Sequence, residues 1–292
     1  MRTVAITGAG GYIGKKLIGR FESEGYECVP IKRDFLTGKA DRVAELLARC
    51  DVVVHLAGAP VLQRWTAKSK AEIYNSRVLS TRKLVEAIEF LPVEKRPELF
   101  LSASAVGIYQ SGETHDESST CFDPGFLGKL VQDWEAASMT LPGEVRRVVF
   151  RIGLVLAGDS KTIQTMLPAF KLGLGGKIGS GKQAFPFVYT GDLVSAFLWA
   201  VRNSNANGVY NLVAPQAITN SEFTTQLAKK LKRPAFFTVP PFALRLVYGD
   251  AACLLTQSPL VVPERLIREG FQFRKPTIDD LLEGEFSDWE RG

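Results

Sequence analysis

The chain has 292 residues, of which 46% are hydrophobic and 23% charged, and it carries a formal net charge of +5. That length suits one large domain or two small ones around a buried core. No apolar run approaches the ~18 residues of a membrane span, so a globular, cytoplasmic protein with neither leader nor membrane partner is expected. The four cysteines, Cys28, Cys50, Cys121 and Cys253, are far apart and form no C-x-x-C pair. They suggest neither a disulfide framework nor a metal site. Basic residues are scattered, and the densest run, KKLKR at 229 to 233, ends a helical segment where cations favour the dipole. Scattered charge argues against a nucleic-acid partner and suits an anionic small molecule.

Strand-length apolar runs recur: TVAIT from residue 3, ECVPI from 27, DVVVHLA from 51, LFLSAS from 99 and RRVVFRIG from 146. Segments with helical spacing, 11 to 24, 68 to 90 and 126 to 139, lie between most of them. The alternation predicts an α/β fold, a Rossmann-type doubly wound parallel sheet with helices on both faces. Its strands read as apolar throughout, as covering both faces requires. After Gly153 the rhythm changes. KLGLGGKIGSGKQAFP, 171 to 186, is too rich in glycine for a regular element and reads as a mobile loop. Strand-like FPFVYT, helix-like DLVSAFLWAV and strand-like GVYNLVA follow. TNSE at 219 to 222 then has the spacing of a capping box before a helix over 222 to 231. With no internal repeat and no low-complexity linker, any second domain is a cap folded onto the first, with a substrate cleft between them.

In TGAGGYIG the glycines Gly8, Gly11 and Gly14 follow a predicted strand and open a helix. Glycine allows the tight turn and the close approach of backbone N–H groups to a pyrophosphate, and the helix N-terminus adds partial positive charge. A dinucleotide is therefore expected. GKIGSGKQ, 176 to 183, has the spacing of a Walker loop, but Gln183 replaces the magnesium-binding hydroxyl and AFPF follows where a helix should. It reads as a substrate-side lid or a surface loop. At the end of the second strand, where NAD sites place an acid for the ribose 2′-hydroxyl, stand Lys32 and Arg33. Two cations there would neutralise a 2′-phosphate, which favours NADP(H), while Asp34 beside them leaves room for NAD.

The chain resembles the short-chain dehydrogenase/reductase superfamily in its extended form. HLAGAPVLQRWT, EIYNSR, SASAVGIYQ, LVQDWEAA, RIGLVL, GLGGKIGSGKQAFPFVYTGDL and GFQFRKP look more narrowly like the atypical YfcH-type epimerase family proteins, from Met1 to about Pro276. The resemblance implies an NADP-binding Rossmann domain over 1–155 with parts of 185–215, and a smaller C-terminal α/β substrate domain over 156–184 and 216–292. It places Gly8, Gly11, Tyr12, Ile13 and Gly14 at the pyrophosphate and Lys32 and Arg33 at the adenosine phosphate. Leu56, Ala57 and Gly58 would face adenine and its ribose, and Arg77, with Glu72, would approach from the next helix. A monomer or homodimer acting on an unidentified small substrate, anionic or nucleotide-linked, is expected.

The sequence departs from the superfamily at the proton-transfer machinery. Ser104 stands where a Ser orients the substrate oxygen, but the Tyr-x-x-x-Lys pair is absent: Phe126 and Leu130 are the best match, and no tyrosine lies between Tyr109 and Tyr189. A phenyl ring cannot transfer a proton. Tyr109 is one substitute, and its ring could equally pack on the cofactor. Lys129 is another, although it points about 100° from the lost lysine. The carboxylates Glu113, Asp116 and Glu117 are a third, as is His115, which reads more readily as a solvated loop residue. Two functions stay open: an NADP-dependent oxidoreductase or epimerase with atypical proton transfer, and a catalytically silent NADP(H) sensor or interaction protein.

Overall fold

The computed structural model describes residues 1–38 and 40–285. The first half builds β1 (Thr3–Thr7), α1 (Tyr12–Ser23), β2 (Glu27–Ile31), α2 (Arg33–Thr37), α3 (Ala40–Leu47), β3 (Val52–His55), α4 (Ala67–Tyr74), α5 (Ser80–Glu89) and β4 (Leu99–Ala105). A π-helical turn, Asn75–Leu79, joins α4 to α5. Next come β5 (Thr114–His115), α6 (Phe126–Ala136), β6 (Arg146–Ile152), β7 (Leu154–Leu156), α7 (Lys161–Lys171), β8 (Gly176–Ile178), β9 (Phe187–Tyr189), α8 (Thr190–Arg202) and β10 (Gly208–Leu212). The remainder holds α9 (Asn220–Lys230), β11 (Phe237–Val239), α10 (Pro241–Tyr248), α11 (Cys253–Thr256), β12 (Leu260–Val261), α12 (Glu264–Arg268) and α13 (Ile278–Glu285).

Six strands form one parallel sheet in the order β10-β6-β4-β3-β1-β2. From β1 the chain steps to β2 on one side and then crosses to β3 on the other. That reversal opens a crevice at the carboxyl ends of β1 and β3, the place where open α/β sheets bind ligands. Successive strand residues face opposite sides, and both sides are covered. Val4, Ile6, Val54, Leu101 and Phe150 pack under Leu17 and Phe21 of α1 and Phe197 of α8. Ala5, Val53 and Phe100 pack under Val43 and Leu47 of α3 and Leu84 and Ile88 of α5. Each such large side chain contributes about 1.5–3 kcal/mol on burial. The edge strand β2 departs from the apolar pattern: Glu27 and Pro30 are exposed, and an edge tolerates the proline's missing N–H.

A second cluster gathers Ile163, Leu167 and Phe170 of α7, Phe187 of β9, Phe223 and Leu227 of α9, and Ile278 and Leu281 of α13. Phe185 stacks on Phe223 with ring centroids 4.2 Å apart. The segment 185–215 serves both clusters: Phe185, Phe187 and Ala214 belong to the second, and Val188, Leu193 and Phe197 to the first. Of the region expected to form the smaller domain, residues 286–292 lie outside the described residues.

The glycine-rich segment 171–186 is a correction to the sequence reading. It contains β8, which pairs in parallel with β11 through Gly176↔Phe237, Lys177↔Thr238 and Ile178↔Val239. The glycines are there for close approach: a Cβ on Gly176 would overlap the Phe237 carbonyl.

Candidate functional site

The crevice between β1 and β3 is a cleft of about 1250 Å³. Gly8 to Gly10 line its floor, Ala57 to Pro60 one wall, and Lys32, Arg33 and Leu36 its far end. The opposite wall is a single helical stripe, Lys68, Glu72, Asn75, Leu79 and Lys83. Four cations, Lys32, Arg33, Lys68 and Lys83, therefore face one carboxylate, Glu72. Arg33 reaches that carboxylate across the cleft at 3.4 Å, and the arginine side chain is 75% exposed.

The glycine turn is shaped by contact. Gly8 has φ +68°, and a Cβ on it would stand 2.9 Å from the Leu56 carbonyl oxygen. A Cβ on Gly14 would overlap the Gly8 carbonyl oxygen. Gly11 donates its N–H to that same oxygen at 2.9 Å. Tyr12 and Ile13 supply amides of the first turn of α1, which has no intrahelical acceptors for them. This cradle and the cationic far end fit a dinucleotide carrying an extra phosphate.

The wall beside Gly8 is pinned from beneath. Thr7 Oγ1 accepts from the Leu56 and Ala57 amides at 3.0 and 3.1 Å and lies 2.7 Å from His55 Nδ1. His55 is fully buried, and burial lowers its pKa to about 4. Its Nε2 lies 3.3 Å from Ser80 Oγ. Arg77 sits in the π-helical turn, behind the cleft wall: it donates to the Ala59 carbonyl at 2.9 Å and lies over the Trp134 ring at 5.3 Å. A Cβ on Gly58 would meet its guanidinium carbon at 2.8 Å. Burial lowers the Arg77 pKa to about 10. π-turns of this kind recur at functional sites, and here the turn delivers an arginine to support the loop.

Of the residues singled out in the sequence, the cleft brings together Gly8, Lys32, Arg33, Ala57, Gly58 and Glu72. Leu56 turns its side chain into the core, and Ile13 packs against the same cluster. The Tyr12 phenol leaves the cleft altogether. It donates to Asp159 at 2.5 Å, lies 3.2 Å from Thr190 Oγ1, and lines a second cavity of about 580 Å³ with Lys16, Tyr189 and Glu285.

Ser104 and Tyr109 belong to a separate buried network. Ser104 Oγ donates to Glu135 Oε1 at 2.6 Å. The Glu135 carboxylate is held by Arg151 through Nε at 2.8 Å and Nη2 at 2.7 Å. Arg151 Nη1 donates to the Tyr109 hydroxyl at 2.7 Å, and that hydroxyl lies 2.8 Å from Asn211 Oδ1. The Tyr109 ring is buried, stacked on His115 with centroids 4.8 Å apart. His115 is itself buried and points Nε2 at the Gln110 carbonyl, 2.7 Å away, so the solvated-loop reading of it is corrected. Asp116 is occupied by Ser118, whose hydrogen bond lowers its pKa, and Glu117 accepts from the Asn211 amide at 2.9 Å. Glu113 and Lys129 are exposed.

At the positions of the missing pair, Phe126 meets Trp65 edge-on at 5.0 Å, with Lys70 Nζ 5.3 Å from its ring centroid. Leu130 is 2% exposed among Ile73, Val78 and Trp134. Glu135, Arg151, Lys68 and Lys83 escaped the sequence reading. Two signals were present: Arg151 is a charge inside an apolar strand, which demands a buried partner, and Lys68, Glu72, Leu79 and Lys83 recur at helical spacing.

The NAD dependent epimerase/dehydratase family matches residues 4–212, and a domain of unknown function, DUF1731, matches 239–284. The epimerase family protein SDR39U1 of Mus musculus is 36% identical over 289 residues, covering 96% of this chain and 98% of that protein. Its Arabidopsis thaliana homologue, named as chloroplastic, is 32% identical over 96% of this chain and 85% of its own length. The crystal structure of the human SDR39U1 isoform 2 with NADPH superposes with a TM-score of 0.90 at 34% identity, over 97% of this chain and 98% of that one. With the match running from within β1 to the last residue of β10, the chain belongs to the NAD dependent epimerase/dehydratase family, within the extended short-chain dehydrogenase/reductase superfamily.

Proposed function

We propose that this protein binds NADP(H) in the cleft and uses it as an oxidoreductase or epimerase on a small substrate held between a Rossmann domain (1–155 with parts of 185–215) and a smaller C-terminal domain. The observation that carries the cofactor is the pairing of the Gly8–Gly14 cradle with Lys32 and Arg33 at the end of β2. The human relative that was crystallised with NADPH supports the same reading. In it Gly11, Tyr12, Ile13 and Gly14 serve the pyrophosphate through backbone, Leu56 and Arg77 shape the wall, and Lys32 and Arg33 take the 2′-phosphate. A cytoplasmic location, as monomer or homodimer, completes the reading, although the Arabidopsis relative is chloroplastic by name.

Bound NADP(H) would supply or accept the hydride; the proton is the chain's task. Ser104 has its hydrogen committed to Glu135, so its free lone pair accepts from a substrate hydroxyl. In the oxidising direction the substrate proton passes to Ser104 Oγ as the serine's own proton passes to Glu135 Oε1. Tyr109 then acts as a positioning residue, holding Arg151 against Glu135. The second reading, a sensor without turnover, is favoured by the near-complete burial of Ser104 and by the apolar Phe126 and Leu130.

NADPH deuterated at its transferable position, incubated with the protein and a metabolite extract, separates the two. Label in a metabolite, lost in Ser104→Ala with NADPH affinity unchanged, supports the enzyme. Tight NADPH binding with no label transferred leaves the sensor.

A further inference from the structure

The two segments that the β8–β11 pairing brings together, 160–191 and 223–249, contain nine lysines and arginines and not one aspartate or glutamate. The whole chain has 36 basic against 31 acidic residues, so without these nine it would be net negative. Charge that looks scattered along the sequence is gathered by the fold. Gly173 lies against Pro234, and Gly179 against Pro241, at 3.3 and 3.1 Å for an added Cβ, so the end of α7, β8, β11 and the start of α10 make one continuous surface. Asp250 lies in the adjoining groove lined by Phe242 and Arg245.

The same surface carries a run of exposed apolar side chains. Phe236 is 91% exposed, and Leu172, Phe237, Phe242 and Leu246 are all more than half exposed. Helix α10 buries none of its residues. Phe242 and Leu246 stand one turn apart on it, so they project together.

We propose that this face docks onto an anionic lipid surface, with Phe236, Phe242 and Leu246 entering the acyl boundary and Lys229, Arg233 and Arg245 meeting headgroup phosphates. Apolar protrusions ringed by cations are what interfacial binding uses. A second copy fits less well: a twofold contact sets a patch against its own image, and the exposed Lys229, Arg233 and Arg245 would face the same three. A nucleic acid would have no use for the aliphatic Leu172 and Leu246, which offer no stacking face. The absence of a spanning segment, on which the expectation of no membrane partner rested, does not bear on a surface contact. Among the described residues no helix is long and apolar enough to cross a membrane.

The test is co-sedimentation of the full chain with vesicles of equal parts phosphatidylglycerol and phosphatidylcholine, and with phosphatidylcholine alone. Binding to the first and not the second, weakened by salt, is expected. Lys229→Gln/Arg233→Gln/Arg245→Gln should weaken it about a hundredfold. Phe236→Ser/Phe242→Ser/Leu246→Ser should release it as well, with an unchanged melting temperature, since all six side chains are exposed. No binding to the anionic vesicles overturns the proposal, as does binding indifferent to the Phe and Leu changes. So does a concentration-dependent dimer that the same changes dissolve, or binding to a single-stranded RNA that only the Lys and Arg changes abolish.

Discussion

The Thr7 hydroxyl stands 2.7 Å from His55 Nδ1, and the proton between them belongs to the threonine. Both lone pairs of Thr7 Oγ1 are taken by the Leu56 and Ala57 amides, so its hydrogen points at the imidazole. His55 is then neutral with its own hydrogen on Nε2, directed at Ser80, whose hydroxyl passes its hydrogen to the Ser76 carbonyl at 2.7 Å. One chain of hydrogen bonds thus joins the ends of β1 and β3 to the π-helical turn.

Protonating His55 would put a hydrogen against Thr7 and break that chain. Its pKa falls from the ordinary 6.5 to about 4 in the fold, so the unfolded chain binds the proton first. The stability is fully present above pH 6.5, is lost as pH falls toward 4, and amounts to about 3 kcal/mol over that window. Urea unfolding at a series of pH values should show this acid limb in the wild type and not in His55→Asn. Parallel pH profiles would mean that His55 takes up its proton in the fold as readily as in the unfolded chain.

Arg33→Glu should raise the NADPH dissociation constant about 10- to 100-fold, the worth of a charge-assisted contact to phosphate, and leave NADH nearly unchanged. Titration calorimetry with both cofactors reads this directly. Equal losses for the two would remove Arg33 from the 2′-phosphate.

Two glycines of α1 should respond oppositely to alanine. Gly19 meets nothing within 4 Å of an added Cβ, so Gly19→Ala should stabilise by about 0.5–1 kcal/mol through helix propensity. Gly14→Ala gains the same propensity, yet its Cβ would overlap the Gly8 carbonyl and stand 2.8 Å from Ala9 Cα. It should cost about 1–3 kcal/mol and weaken cofactor binding. Stabilisation by both would show that the turn yields freely.

Restoring the superfamily's pair by Phe126→Tyr with Leu130→Lys should not create activity. Leu130 lies among Ile73, Val78 and Trp134, and a lysine there must be neutral or rearrange its surroundings, at a cost of roughly 4 kcal/mol. Denaturant melts of Leu130→Lys alone measure that cost; an unchanged midpoint would mean that the position opens readily to solvent.

The large sheet was legible because β1, β3, β4 and β6 are apolar runs that the fold covers on both sides, and the cradle was legible because glycines at a strand end have few other uses. The capping box at Thr219 was legible for the same local reason, and Thr219 and Glu222 bond each other's backbone as their spacing requires. Non-local partners were not. Glu135 and Arg151 sit 16 positions apart on a helix and a strand, and only the sheet register sets them face to face. His115 read as a loop residue because nothing in GETHDES announces that β5 will pair with β12 and bury it. The segment around β8 read as irregular because glycine marks loops and close-packed strands alike.

The Tyr12 phenol and the Lys16 ammonium share one carboxylate, Asp159, each at 2.5 Å. Both lie on the outer side of the helix whose first turn faces the phosphate cradle, and Asp159 lies 147 residues along the chain from Tyr12. The clamp preorganises that turn. Less conformational freedom is left for a dinucleotide to remove on binding, and affinity in the cleft becomes partly a property of a loop that never enters it.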